Sequence, residues 1–478
     1  NLFIKKNMYK QLLPARISLF ALLEKNEKVS FLQNLKYKMN VKAMRLYLSK
    51  NEQKKISVAP KITHKKNTTN KERILLLSFT NHISDDNAIF RLDKTIKKIQ
   101  EDGTYGPLVL FADALSRRSY KKISELSTIY SYCDAGVVSN AKSKARKMYQ
   151  RWQNIDSKTK KSLMYYDNKN YFPYFQYALD FFLSEEFMII LFMYYETFKK
   201  IIQYENVRTL VITGLTSTFE RCLLAAGGHY KKPTVYISHG IAKETITSDL
   251  IYDTKIAMIS DYYKNEYIEL GVDPKQIHVV GPVIFDEVVN FKTEKKSQLN
   301  NILIGPGAKV SGDKLTKDQY FQNFERLIQD IKSLGDIEIN IKPHPRSVSE
   351  NDFMKIISKY KNVHFHKPNV SRKHFYQLMQ DSDIYIHFGS NSAMEAMIIG
   401  RPIMTIDQLY DGKPFPHWLQ GKKFIMETNF NEDIKKVILE TIQNQDFLKL
   451  EQEKIIAERL GNVDGKAYER VVDLIYMA

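Results

Sequence analysis

The sequence predicts an α/β chain made of two successive βα domains, each a doubly wound parallel sheet, behind a helical N-terminal extension. Three observations carry this. Short apolar runs suited to buried parallel strands recur along the chain and end in turns rich in Gly, Ser, Thr and Asn. Helical stretches separate them, which is the βαβ alternation. A polar, Lys-rich break over 292–300 divides the strands into two groups.

Size and composition bound the rest. The 478 residues suffice for two or three domains with proper cores. Apolar residues make up 43% and charged residues 26%, so the chain is globular rather than disordered. The longest wholly apolar run, near 187–195, is far below the roughly 20 residues that span a bilayer. Cys133 and Cys222 form neither a disulfide framework nor a metal pattern, and no signal peptide is visible. A cytoplasmic location is therefore expected. The net charge of +18 suits anionic partners. No zinc-finger or RNP signature accompanies it, so nucleic acid is not an expected partner and a membrane-surface or lipid-linked acceptor fits better.

In chain order, residues 1–70 form a basic, helix-rich extension. Ile17, Leu19, Phe20, Leu22 and Leu23 make an amphipathic patch, read as an arm packed on the first domain. Peripheral contact with anionic lipid at the inner face of the cell membrane is the functional alternative. The first βα domain is assigned to 71–290, with strands over 74–79, 107–112, 207–212, 233–237, 256–259 and 277–280. Its middle, 119–200, is mostly helical. Phe181, Phe182, Phe187, Ile190, Leu191 and Tyr194 suggest a heavily buried helix there. A further helix runs from the 207–212 strand to Gly227-Gly228. The second domain is assigned to 291–478, with strands over 302–304, 337–341, 363–366 and 384–388 and a helix over 319–333. The closing helices from 431 onward are expected to pack back on the first domain.

The chain is organised around 383–404. Ile384 to Phe388 reads as a buried strand, and Gly389 allows a sharp turn. Ser390 or Asn391 caps the helix that follows, in which Met394, Met397 and Ile398 share an apolar face. Gly400 stops that helix and Pro402 opens the next strand. Free amides and hydroxyls at such a helix start form an anion site, and Glu395 is close enough to reach a sugar hydroxyl on the same ligand. The plainer reading is one more βα unit with an ordinary serine cap. The neighbouring strand over 337–341 runs into Lys342-Pro343-His344-Pro345-Arg346, where prolines stiffen the backbone between three potential phosphate donors. The carboxyl ends of strands are where open α/β sheets bind ligands.

This pair of motifs resembles the GT-B glycosyltransferases of bacterial surface-polysaccharide synthesis (capsule, lipopolysaccharide and teichoic-acid types). The Lys-Pro-His-Pro turn is similar to the HP motif of bacterial sialyl- and Kdo-transferases. Gly389-Ser390-Asn391-Ser392, with Glu395-Ala396 and Gly400-Arg401-Pro402, is similar to their serine motif. The same region resembles the CDP-glycerol glycerophosphotransferases of teichoic acid synthesis. The likeness covers about 235–406 and is specific for the superfamily rather than for the sugar.

The resemblance implies a GT-B architecture, two Rossmann-like domains facing a cleft, and transfer of a sugar from a CMP-, CDP- or UDP-linked donor to a glycan or lipid-linked acceptor, most simply with inversion. It implies no metal and no cofactor, the nucleotide sugar being a substrate. In agreement, no Asp-X-Asp stands at a strand end; Asp381-Ser382-Asp383 precedes a strand. His364, His366, His374 and His387 have spacings that fit no standard zinc pattern. His239, in Ser238-His239-Gly240 after a first-domain strand, is the expected base, with Asp113, Glu244 and Asp249 as alternatives. On the donor side, Gly307 and Lys309 follow the 302–304 strand as a phosphate-approaching loop. Lys342, His344, Arg346, Ser390, Asn391 and Ser392 are expected on the phosphate, Asn369 on the base and Glu395 on the ribose. Rival readings are a CDP-alditol phosphotransferase, a non-hydrolysing UDP-sugar 2-epimerase, whose His-Arg-Arg-Glu-Asn type segment is absent here, and an inactive nucleotide- or glycan-binding module.

Overall fold

The structure, a computed structural model, describes residues 71–79, 89, 91–112, 127–162, 165–166, 169–170, 172, 176, 179–180, 182–215, 217–238, 254–293, 298–306, 316–344, 350–390, 392–407 and 425–478. The N-terminal extension lies outside them. The elements in order are β1 (Arg73–Ser78), α1 (Asp93–Asp102), β2 (Gly106–Phe111), β3 (Ser127–Thr128), α2 (Ala135–Asn154), α3 (Ser157–Ser162), β4 (Tyr165–Tyr166), β5 (Lys169–Asn170), α4 (Glu185–Tyr204), β6 (Val207–Ile212), α5 (Thr218–His229), β7 (Thr234–Ile237), β8 (Thr254–Met258), α6 (Asp261–Glu269) and β9 (Ile277–Val279). Then follow β10 (Asn301–Gly305), α7 (Lys317–Lys332), β11 (Glu338–Ile341), α8 (Glu350–Ile357), β12 (Val363–Phe365), α9 (Arg372–Asp381), β13 (Ile384–His387), α10 (Ser392–Ile399), β14 (Ile403–Asp407), β15 (Met426–Asn429), α11 (Ile434–Gln443), α12 (Gln445–Leu460) and α13 (Ala467–Tyr476).

The strands form a seven-stranded sheet, β3-β2-β1-β6-β7-β8-β9, and a six-stranded sheet, β12-β11-β10-β13-β14-β15. Neighbours in the second sheet run parallel throughout. In each sheet the order reverses once, between β1 and β6 and between β10 and β13. That reversal marks the topological switch point of a doubly wound fold. The chain thus has the two Rossmann-like sheets of the GT-B fold.

Among the described residues two compact units are distinguished. One holds 71–73, 109–208 and 216–232. Its helices α2 and α4 are capped by Asp134 and Ser184, whose side chains accept from the amides of Val137 and Phe187. Helix α4 buries Met188, Ile190, Met193, Tyr194, Thr197, Phe198, Ile201 and Ile202, a stripe at helical spacing. Phe182 departs from expectation: it precedes the helix, is 51% exposed, and lies edge-on to Phe187 at 5.2 Å. Phe187 and Leu191 are half-buried, whereas Ile190 and Tyr194 lie on the buried stripe as expected. Helix α5 continues through Gly227 and Gly228 to His229, held at its start by a capping box between Ser217 and Glu220.

The other unit holds 74–108, 209–215 and 233–478. Strands β10, β11 and β13 turn one face of isoleucines to the helices, while the other face of β11 carries Glu338 and Asn340 and that of β13 carries Tyr385 and His387. Ile302, Ile304, Ile339, Ile341, Ile384 and Ile386 are buried with Tyr320, Phe324, Leu327, Ile328 and Ile331 of α7. Asp383 bolts the strand starts together: its Oδ2 accepts from the amides of Asn300 and Asn301, both at 2.7 Å. Helix α10 buries Ala393, Met394, Ala396, Met397 and Ile399, so apolar contact surrounds most of it rather than the single face expected. Ile398, expected on that face, is half-buried. The closing helices reach elements of the first sheet. Ser260 donates to the Arg459 carbonyl at 2.6 Å, and the Asp286 carboxylate accepts from the amides of Ala467 and Tyr468 at the start of α13 at 3.1 and 2.7 Å. Among the described residues no helix is long and apolar enough to cross a membrane.

Candidate functional site

Seven expected site residues, namely His239, Asp113, Glu244, Gly307, Lys309, Arg346 and Asn391, lie outside the described residues, as does the alternative base Asp249. Of the described ones, Lys342, His344, Ser390, Ser392 and Glu395 follow the carboxyl ends of β11 and β13, beside the switch point, whereas Asn369 lies in the turn after β12. Register brings the ends of β11 and β13 to either side of β10. Ile304 of β10 pairs with Ile341 of β11, and Gly305 pairs with His387 of β13. The amide of Lys342 donates to the Ile304 carbonyl at 3.0 Å, so Lys342 is the first residue past the strand, and the amide of His344 donates to Pro306 at 3.3 Å.

His387 organises the serine turn, a role not visible in its spacing to other histidines. Its ring is fully buried. Nδ1 accepts from the amides of Gly389 and Ser390, each at 3.1 Å. The ring proton is therefore assigned to Nε2, which lies 2.9 Å from the Thr405 hydroxyl. Burial pushes the imidazole down to about 3, so it stays neutral. Gly389 takes φ +80, a left-handed turn that brings two successive amides onto one nitrogen. Two amides expected to face an anion are thus already satisfied inside the protein. The sequence signal was the polar ring itself, at a buried position of an apolar strand and just before a glycine.

The hydroxyls present themselves instead. Tyr385 stacks on His387, ring centroids 5.7 Å apart, and its hydroxyl lies 2.5 Å from Ser392 Oγ. Ser392 Oγ donates to Ser390 Oγ at 2.7 Å, and the Ser392 amide donates to the same oxygen at 3.3 Å. In this relay the Ser390 O–H is the terminal donor, with no acceptor among the described residues. Gly305 makes room for it: a Cβ there would strike the Tyr385 hydroxyl and come within 2.9 Å of the ring. Burial pushes the Tyr385 phenol up, so it remains a donor.

Lys342 supplies positive charge. Its Nζ sits 4.5 Å from the Phe375 ring centroid. Among the described residues its Nζ makes no hydrogen bond or ion pair. Burial pushes its ammonium down to about 8, against the pull of Glu395. Glu395, in the first turn of α10, accepts from Arg372 Nη2 at 2.6 Å and from the Tyr376 hydroxyl at 3.1 Å. The expected ribose ligand thus enters the site already engaged on one oxygen. Asn369 is exposed in the turn after β12, and His344 is half-buried.

His366 and His374 are hydrogen-bonded to each other at 3.2 Å, and His366 Nε2 lies 2.7 Å from the Asn340 side-chain oxygen. Burial, then the neighbouring His374 and His364, hold His366 below its ordinary value. Among the described residues no group of three or more His, Cys, Asp or Glu is placed to hold a metal ion.

No protein-family model matches this sequence, and no curated protein matches it. Solved structures resemble it in fold. The UDP-GlcNAc 2-epimerase from Neisseria meningitidis, bound to UDP-GlcNAc, is similar with TM-score 0.53 at 11% identity, over 85% of this chain and 100% of that one. The UDP-GlcNAc 2-epimerase from Methanocaldococcus jannaschii is similar with TM-score 0.51 at 12% identity, over 85% and 100% of the two chains. At such identities the likeness is one of fold, and it is the GT-B fold that the two parallel sheets build.

Proposed function

We propose that the chain is a metal-independent GT-B glycosyltransferase moving a sugar from a CMP-, CDP- or UDP-linked donor to a surface glycan or lipid-linked acceptor. One observation carries the reading: at the switch point of the second sheet the Lys342 ammonium, pushed down by burial, has no hydrogen bond or ion pair among the described residues and stands on the same rim as a serine relay whose terminal hydroxyl has no acceptor among them. Such a site wants a phosphate. In this reading 291–478 binds the donor and 71–290 faces the acceptor, at the cytoplasmic side of the membrane. His239 takes the proton from the acceptor hydroxyl. The acceptor oxygen attacks the anomeric carbon as the bond to the phosphate oxygen breaks. Lys342, Ser390 and Ser392 then receive the charge that develops on the departing nucleotide, with His344, Arg346, Asn391 and the amides of Gly307 and Lys309 as further contacts.

The fold likeness to UDP-GlcNAc 2-epimerases favours a second reading, a UDP-sugar 2-epimerase; the missing His-Arg-Arg-Glu-Asn type segment counts against it. A panel of CMP-, CDP- and UDP-sugars and CDP-alditols separates the readings. A transferase releases nucleotide only with acceptor present, whereas an epimerase returns an altered UDP-sugar. With the donor identified, His239→Ala should lower turnover by about 10²–10⁴-fold and leave donor affinity nearly unchanged. Parallel loss of affinity and rate would make His239 a phosphate ligand and move the base to Asp113, Glu244 or Asp249.

A further inference from the structure

We infer that Arg372 is a positioning residue of the donor site: with Tyr376 it holds one oxygen of the Glu395 carboxylate, presents the other to a vicinal diol of the bound nucleotide, and ties this grip to the segment that follows β9. The inference rests on the nucleotide-sugar reading above. Arg372 Nη2 donates to Glu395 Oε1 at 2.6 Å and to the Ile284 carbonyl at 2.8 Å, while Nε donates to the Tyr376 hydroxyl at 2.8 Å. The Tyr376 hydroxyl in turn donates to the same Glu395 oxygen at 3.1 Å. Both grips fall on Oε1. Among the described residues no hydrogen bond reaches Oε2, although the Glu395 side chain is only 14% exposed. A carboxylate offers acceptor sites on both oxygens, so a mostly buried one with a single oxygen engaged has capacity left.

The placement of Arg372 supports a dedicated role. It is the first residue of α9, a helix capped by Ser371. A cation there opposes the helix dipole, so a compensating anion is needed to hold it. Tyr376 lies one turn on, on the same face, which lets one guanidinium fork serve both groups. Ile284 follows β9 of the first sheet, whereas Glu395 lies in the first turn of α10, which follows β13 of the second. The same guanidinium therefore bears on the carboxylate and on the strand-to-linker backbone.

The test is calorimetric titration of the full chain with CMP, CDP and UDP, followed by the 2′,3′-dideoxy form of whichever binds. The native chain should prefer the ribonucleotide by about tenfold or more, the size of one charge-assisted hydrogen bond. Arg372→Lys and Tyr376→Phe should shrink that preference to about threefold or less while affinity for the dideoxy form holds, which also shows that both variants fold. Equal binding of the two forms by the native chain would overturn the inference. So would Arg372→Lys losing affinity for both forms alike with the preference intact. If none of the three nucleotides binds, the nucleotide-sugar reading itself fails and the inference with it.

Discussion

Two cations stand at the same end of the second sheet, and they differ in what they lack. Arg372 is engaged by a carboxylate, a phenol and a main-chain carbonyl. Lys342, one residue past β11, has a phenyl face and no acceptor among the described residues. Both are partly or wholly withdrawn from water, so the contrast is one of partners. A largely desolvated charge with hydrogen-bonded partners holds the fold; one with no ion pair costs stability that a ligand can return.

The largest expected effect tests the engaged cation. Arg372→Met should lower unfolding stability by about 3–5 kcal/mol, because it strands the Glu395 carboxylate and the Ile284 carbonyl. Lys342→Met should leave stability unchanged or raise it. Denaturant midpoints of the two variants check this, and equal losses would erase the contrast.

Ligand affinity should reverse the ranking. Lys342→Met should weaken nucleotide binding by about 1.5–3 kcal/mol, roughly 10–100-fold, as measured by calorimetry. An unchanged affinity would remove Lys342 from the site. A subtler change leaves both cations and disturbs the Tyr385–Ser392–Ser390 hydroxyl relay. Gly305→Ala should cost about 1–3 kcal/mol of stability by displacing the Tyr385 ring, and should weaken binding through Ser392 and Ser390. A variant as stable as the native chain would show that Tyr385 can move away freely.

The smallest effect is the pH dependence of Lys342. Its ammonium in the free site titrates at about 8 rather than in the ordinary lysine range. Anion binding needs the charged form, so affinity should be flat below pH 8 and fall above it by at most about tenfold per pH unit. Stability of the ligand-free chain runs the other way. Between pH 8 and the ordinary lysine value the unfolded chain binds more protons, so stability rises with pH there. Lys342→Met should abolish the fall in affinity; a fall that persists belongs to another group.

Much of this was legible in the chain. The strand runs ending at Ser78, Ile212, Ile237, Gly305 and His387 were visible because buried parallel strands need no alternation, only apolar continuity. The Lys342–His344 turn and the Ser390–Ser392 turn were visible because proline, glycine and serine mark local backbone constraints. The division into two successive βα domains followed from βαβ alternation, whereas the order of strands within each sheet did not.

What local chemistry does not encode is who touches whom across the sheet. That His387 Nδ1 takes the Gly389 and Ser390 amides depends on β14 bringing Thr405 beside it to hold the ring. That Glu395 meets Arg372 depends on α9 and α10 packing together, 23 positions apart in the chain. That Gly305 must lack a side chain depends on the Tyr385 ring of the adjacent strand. The sequence by itself determined strands, helices, turns and the polar residues delivered to the strand ends, because these follow from backbone sterics and periodicity. Tertiary packing alone decided which of those polar groups satisfy one another and which are left for a ligand, because hydrogen-bond partnership is set by distances of about 3 Å between residues far apart in the chain.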